Sequence, residues 1–164
     1  MTISLSACRK GGPLKMSAIV RHFVSIPGQP VAKGRPRFTR SGHVYAHPGS
    51  MRWEELAAIV LRSLIGTPMH DQPLRLEVVA YFKRPGNMCR KRDSPHRIPH
   101  IKKPDADNIL KNAADALVRA GVVIDDSVIC QMTCTKYYTA KGKTPRRLFY
   151  WTHSMSRMQH HEAH

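Results

Sequence analysis

Asp105-Ala106-Asp107-Asn108-Ile109-Leu110-Lys111, answered by Gly121-Val122-Val123-Ile124-Asp125-Asp126, is the stretch on which the reading of this chain turns. Ile109, Leu110, Ala113, Ala114, Leu117 and Val118 recur at helical spacing, so the segment predicts an amphipathic helix over Asn108–Ala120. Pro104 keeps Lys103 extended, which leaves Asp105 just outside the helix. Asp107 falls at the N-cap or beside it, where free N–H groups and the helix dipole favour a carboxylate. Lys111 follows Asp107 by four residues and faces the same way. Gly121 ends the helix, and Val122-Val123-Ile124 predicts a short buried strand returning to Asp125-Asp126. On this reading the chain goes out along the helix and comes back antiparallel, bringing Asp105, Asp107 and one of the later acids to one point.

The acids stand out because the chain has so few. Its 164 residues carry 27 Lys and Arg against 11 Asp and Glu, a formal net charge of +16. Five of those acids, Asp105, Asp107, Asp115, Asp125 and Asp126, fall in this one helix and turn. Clustered carboxylates repel unless a cation or proton sits among them. Oxygen donors with room for water suit Mg²⁺, with Mn²⁺ as a substitute. In a basic chain such a metal points to attack on a phosphodiester, and so to a metal-dependent nuclease. Lys111 is then placed to offset charge on the phosphorane or the leaving oxygen. The plainer reading makes Asp107 a cap and Asp125-Asp126 a turn; Asp115 and Arg119 read as surface ion pairing.

Working outward, the helix is preceded by a long basic loop, Lys83–Pro104, with eight Lys or Arg, four Pro and one Asp. It shows no apolar periodicity and reads either as a mobile substrate clamp or as a solvated insertion. Lys102 and Lys103, beside the acids, are candidate DNA contacts. Leu74–Phe82 alternates as a strand, and Met51–Leu64 carries Trp53, Leu56, Ala57, Val60, Leu61 and Leu64 as a helix stripe capped by Ser50. Ile19–Ile26 is a first strand ended by Pro27-Gly28. The segment after it, Gln29 to Arg40, carries Lys33, Arg35, Arg37 and Arg40 with no carboxylate, which suits an arm gripping phosphates. Ser41-Gly42 predicts a hairpin turn into His43-Val44-Tyr45. Downstream of the acids, Val128–Tyr138 and Arg147–Thr152 read as strands joined by a turn at Ala140–Lys143.

The length fits one domain, residues 17–153, between tails at 1–16 and 154–164. The first segment lacks the features of a signal peptide, and Met16 offers an alternative start. No apolar run approaches the roughly 20 residues that span a bilayer, and the basic residues lie in loops rather than on an amphipathic helix. Cys130 and Cys134 would lie about 13 Å apart along a strand, too far for a disulfide, and no zinc spacing occurs. Reduced thiols in a cytoplasmic protein follow. A basic composition of this kind calls for a nucleic-acid partner.

The acidic motif, with Asp115-Ala116-Leu117 and Ala120-Gly121-Val122-Val123-Ile124-Asp125-Asp126, resembles the signature of the RusA family of crossover-junction endodeoxyribonucleases, or Holliday junction resolvases, often borne by phages and prophages. Pro27-Gly28-Gln29-Pro30 through Lys33-Gly34-Arg35-Pro36-Arg37 is similar to the family's N-terminal motif, so the resemblance covers about Ile19 to Thr152. It implies an α+β fold, a mixed sheet packed with two main helices, and a homodimer acting on four-way DNA with Mg²⁺ or Mn²⁺ and no small-molecule cofactor, in recombination and repair. It also implies a catalytic and metal-holding set of Asp105, Asp107 and Asp126, with Asp125 adjacent, and Lys111 as the helical lysine. The N-terminal tail and the loop at Lys83–Pro104 depart from the pattern. Two other readings stand beside it: a non-catalytic nucleic-acid-binding protein, and a metal-dependent phosphohydrolase of nucleotides.

Overall fold

The computed structural model describes residues 2–5, 18–34, 37–38, 44–45, 48–64 and 72–155. Its frame is one mixed sheet of six strands, α+β as expected: β1 (Thr2–Leu5), β2 (Ala18–Pro27), β5 (Leu74–Phe82), β6 (Ile98–Pro99), β7 (Ile129–Tyr138) and β8 (Arg146–Met155), in the order β1-β2-β8-β5-β7-β6. Two short strands, β3 (Arg37–Phe38) and β4 (Val44–Tyr45), pair antiparallel on their own, consistent with the expected hairpin, whose turn lies outside the described residues. The helices are α1 (Pro48–Leu64) and α2 (Ala106–Arg119).

Every sheet neighbour pairs antiparallel except β5 with β7, which run parallel from Leu74↔Ile129 to Phe82↔Tyr138. Parallel neighbours need a crossover, and the basic loop plus α2 supplies it. One face of the sheet carries Val24 and Ile26 of β2, Leu74, Leu76, Val78, Ala80 and Phe82 of β5, and Phe149 and Trp151 of β8. These bury against Trp53, Ala57 and Leu61 of α1 and Ile109, Ala113 and Leu117 of α2. The inward residues read for β5, Leu74, Leu76, Val78, Ala80 and Phe82, are inside, and Val79 of the opposite face is buried as well.

Several elements differ from expectation, each for a physical reason. Helix α1 starts at Pro48, where a missing N–H costs nothing at the first turn, so Ser50 lies inside the helix rather than capping it. Ser50 is buried instead, and its hydroxyl accepts from the Gly34 N–H at 3.4 Å. Leu56, read as core, is 44% exposed, because the helix turns its Trp53–Ala57–Leu61 row to the sheet. Helix α2 begins at Ala106, which makes Asp105 the N-cap and puts Asp107 in the first turn. Its end is a Schellman closure: Gly121 at φ +73°, with the Val122 N–H on the Leu117 carbonyl at 3.0 Å and the Gly121 N–H on that of Val118 at 2.9 Å. The return beyond it is a single bridge at Val123 rather than a strand, although Val122 and Val123 are buried as expected.

The loop 83–104 is held rather than loose. The buried Arg84 guanidinium donates to the carbonyls of Thr139 (3.0 Å), Ser94 (2.6 Å) and His96, and Lys141 Nζ donates to those of Arg90 and Asp93, both 2.6 Å. A 3₁₀ turn at Gly86–Met88 and the strand β6 break its length. One of its own cations, Arg84, and Lys141 from the turn after β7 face inward as staples, which sequence composition cannot distinguish from solvated charge. Thr2–Leu5, within the segment read as a tail, pairs with Ala18–Arg21 on the sheet edge, where main-chain bonding needs no apolar periodicity. Likewise β8 runs to Met155, two residues into the expected C-terminal tail; the remaining tail residues lie outside the described set. No helix among the described residues is long and apolar enough to cross a membrane.

Candidate metal centre and its basic surroundings

At the head of α2 the backbone of Asp105 is extended (φ −73°, ψ 151°), and its carbonyl receives the Ile109 N–H at 3.3 Å. Its carboxylate makes no cap hydrogen bond. Two residues on, Asp107 faces solvent, with Lys111 Nζ 3.5 Å from its Oδ2. Two exposed carboxylates and an ammonium one turn later thus share the helix's N-terminal end, as the sequence expects. The head is pinned from the sheet by Lys136 of β7, whose Nζ donates to the carbonyls of Lys102 (3.0 Å) and Pro104 (2.8 Å). Lys102 and Lys103 are exposed beside it. The buried His100 stacks on Phe82 at 4.0 Å, and burial, helped by Lys136, holds its imidazole below the ordinary range.

Asp125 and Asp126 do not join this group. Residue 136 of β7 sits at the head of α2, and β7 begins seven residues earlier, about 23 Å back along the strand. The 3₁₀ turn Asp126–Val128 leads straight into that far end. Helix α2 itself is 14 residues, roughly 20 Å, so the two acidic sets lie toward its opposite ends. Among the described residues no three His, Cys, Asp or Glu side chains form a metal-holding group. The convergence expected within one chain is therefore corrected. A bridge at Val123 and a turn at 126–128 do not carry the chain back a full helix length. At its own end Asp125 accepts the Ser127 N–H at 2.9 Å, and its bonds from Ser127 hold its carboxyl below the usual range.

The basic arm lies along α2. The Lys33 N–H donates to the Asn108 carbonyl at 3.0 Å, and Lys33 Nζ pairs closely with Asp115. Lys33, expected on phosphate, is thus engaged within the chain, and Asp115 pairs with it rather than with Arg119. Arg119 instead reaches Glu55 at 3.0 Å and Glu54 at 3.9 Å on α1. The side chains of Arg35, Arg37 and Arg40 lie outside the described residues.

Beneath the arm sits Arg147, fully buried on β8. It donates to Asn112 Oδ1 at 3.0 Å and to the Val31 carbonyl, with Cζ 3.7 Å above the Trp53 ring. Burial pushes its pKa down to about 9, which still leaves it charged at neutral pH. Asn112 passes the connection on, donating to Glu54 at 3.0 Å, and burial followed by Asp115 raises the Glu54 carboxyl. Arg147 thereby ties sheet, arm and α2 together. Sequence reading missed this pair, although a polar Asn112 on the apolar side of α2 was a signal.

Residues 27–145, which include arm, loop and both acidic sets, match the family described as Endodeoxyribonuclease RusA. A Bacillus subtilis (strain 168) protein described as "Uncharacterized protein YqaN" is 28% identical over 127 residues, covering 73% of this chain and 89% of that protein.

Proposed function

The chain belongs to the endodeoxyribonuclease RusA family, and from that premise we propose that it is a divalent-metal-dependent endonuclease that resolves four-way DNA junctions in recombination and repair. The observation that carries the reading is the head of α2: Asp105 without a cap bond, Asp107 exposed, and Lys111 one turn on, in a chain of net charge +16. The donor set fits Mg²⁺, which keeps several waters and takes one or two carboxylates with substrate phosphate oxygens. Asp105 and Asp107 would hold it, and Mn²⁺ would substitute. When bound, the metal supplies a more acidic water and offsets charge on the phosphate.

The chain's own groups do the rest. Lys111 offsets charge on the leaving oxygen. Lys102 and Lys103 flank the acids and grip the backbone, and Lys136 keeps the helix head from shifting. Because one chain parts the two acidic sets by about a helix length, the protein works as a homodimer in which Asp126 of the partner subunit, with its neighbour Asp125, completes the site at Asp105 and Asp107. A cleavage panel of four-way, flap and linear duplex DNA, with and without Mg²⁺, tests the reading. Mg²⁺-dependent cleavage that favours the four-way substrate is expected. Tight junction binding with no cleavage under any divalent cation would make it a binding protein instead.

A further inference from the structure

The sheet has a second face, which no helix among the described residues covers. Along β5 the residues that alternate with the core, Arg75, Glu77, Val79 and Tyr81, point there, and the register brings β2, β7 and β8 into line with them. In one row Phe23 of β2 stands beside Tyr150 of β8, ring centroids 4.9 Å apart. Four residues along, in another row, Tyr81 of β5 stands beside Tyr137 of β7 at 5.9 Å, stacked. Arg97 lies 4.7 Å over the Tyr137 ring and donates to the Tyr81 hydroxyl at 3.1 Å, while Arg146 lies 5.1 Å from the Tyr81 ring. Arg21 and Arg75 close the far end of a shallow concavity of about 510 Å³.

We infer that this open face is a binding site for an unpaired DNA strand, with Tyr81, Tyr137 and Tyr150 as base-stacking platforms and the surrounding arginines on its phosphates. The inference rests on the nuclease reading for the choice of DNA. Its support is independent of the acids. Cross-strand aromatic pairs alone would serve to stabilise a sheet. Here, however, three arginines, Arg21, Arg75 and Arg97, line the concavity against one carboxylate, Glu77, among the described residues, and a fourth, Arg146, stands at its edge beside Tyr81. That imbalance suits a polyanion and opposes a second copy, which would set arginine against arginine. Half-exposed rings between cations are what single strands use, because every base has a stacking face and the charges follow the backbone. The two aromatic rows lie four residues, about 13.6 Å, apart along the strands, well beyond the 3.4 Å rise of stacked duplex bases, so they suit separate bases of an extended strand rather than stacked neighbours. Tyr137 also neighbours Lys136, which pins the head of α2 from the other face. A strand opened at a junction could therefore lie on this face while its continuation reaches the acids around the sheet's end.

The test uses the full chain with Ca²⁺ in place of Mg²⁺, and a short fluorescein-labelled oligo-dT read by anisotropy. Replacing both Tyr137→Leu and Tyr150→Leu should weaken oligo-dT binding by about tenfold or more, while Tyr137→Phe with Tyr150→Phe stays within about threefold. Blunt duplex affinity should hold in both. On the wild type, a 5-iodouracil oligo-dT should photocrosslink to peptides containing Tyr81, Tyr137 or Tyr150, which decides the matter even if the Leu pair fails to fold. Crosslinks confined elsewhere, unchanged oligo-dT affinity in a folded Leu pair, or a face shielded by a second copy would overturn the inference. So would a wild type that binds and cuts junctions but ignores oligo-dT, and the nuclease reading would then survive. Oligo-dT held on these tyrosines by a chain that cuts no DNA with Mg²⁺ would do the reverse.

Discussion

Replacing Lys111 by Met removes one ammonium and little else, so its two possible roles leave different marks. Lys111 Nζ is 3.5 Å from Asp107 Oδ2, with the two side chains 65% and 63% exposed. An exposed i,i+4 pair of this kind is worth about 0.3–0.5 kcal/mol. For a domain of this size that is a loss of roughly 1–2 °C in Tm. If Lys111 only pairs with Asp107, nothing further happens. If its charge is aimed at the developing oxyanion, the rate falls by about 10²–10³. The expected result is junction affinity close to wild type in Ca²⁺, a Tm within about 2 °C, and single-turnover cleavage down at least a hundredfold, on the order of 2.7 kcal/mol. Lys111→Arg should rescue in part, its charge being planar and more diffuse. The assay is single-turnover cleavage at saturating enzyme and Mg²⁺, beside a binding titration. Cleavage by Lys111→Met within about threefold of wild type would refute the argument, because that loss is far below the 10²–10³ expected of an oxyanion contact.

Mixing Asp107→Asn with Asp126→Asn chains should restore nicking that neither shows alone, since a heterodimer with shared sites has one site intact. Continued inactivity of a verified heterodimer would place both acids of each site in one chain. Arg84→Met should make the loop 83–104 the first site of limited proteolysis, by freeing the carbonyls of Ser94, His96 and Thr139 from their staple; an unchanged cleavage pattern would show that Lys141 suffices. Junction affinity should fall with salt at about −0.9 per phosphate neutralised, and Arg35→Ala with Arg37→Ala should flatten the slope by up to about two, whereas Lys33→Ala, already paired to Asp115, should change it less.

Local pattern was legible where one face of an element decides its fate. The alternation of Leu74–Phe82 and the stripe of α2 name most of their buried residues: Leu74, Leu76, Val78, Ala80 and Phe82, and Ile109, Ala113, Ala114 and Leu117, are inside as read, while Leu110 and Val118 are only half-buried and Val79, Asn112 and Ala116 are buried unread. Boundaries set by backbone chemistry were less so: Pro48 starts α1 early, and Asp105 rather than Asp107 holds the N-cap. What stayed hidden is tertiary. The spacing from Asp107 to Asp125 is compatible with a return to the helix head. Only the register of β7 on β5, with Lys136 at the head of α2, shows the acids to be parted. Arg84 and Arg147 look like surface charge in sequence, yet one staples the loop and the other joins arm, sheet and α2. Their partners are backbone carbonyls and Asn112, which composition does not reveal.

If the acids at the head of α2 hold the metal that cuts branched DNA, Asp107→Asn must abolish cutting. Asp107 sits inside the first turn and is not the N-cap, so its loss leaves the helix start intact while removing the charge a divalent cation needs. With saturating Mg²⁺ on a four-way junction, wild type should cut in a single turnover and Asp107→Asn should not, the two binding the junction alike in Ca²⁺. Near-normal Mg²⁺-dependent cleavage by Asp107→Asn would mean that the metal is held elsewhere.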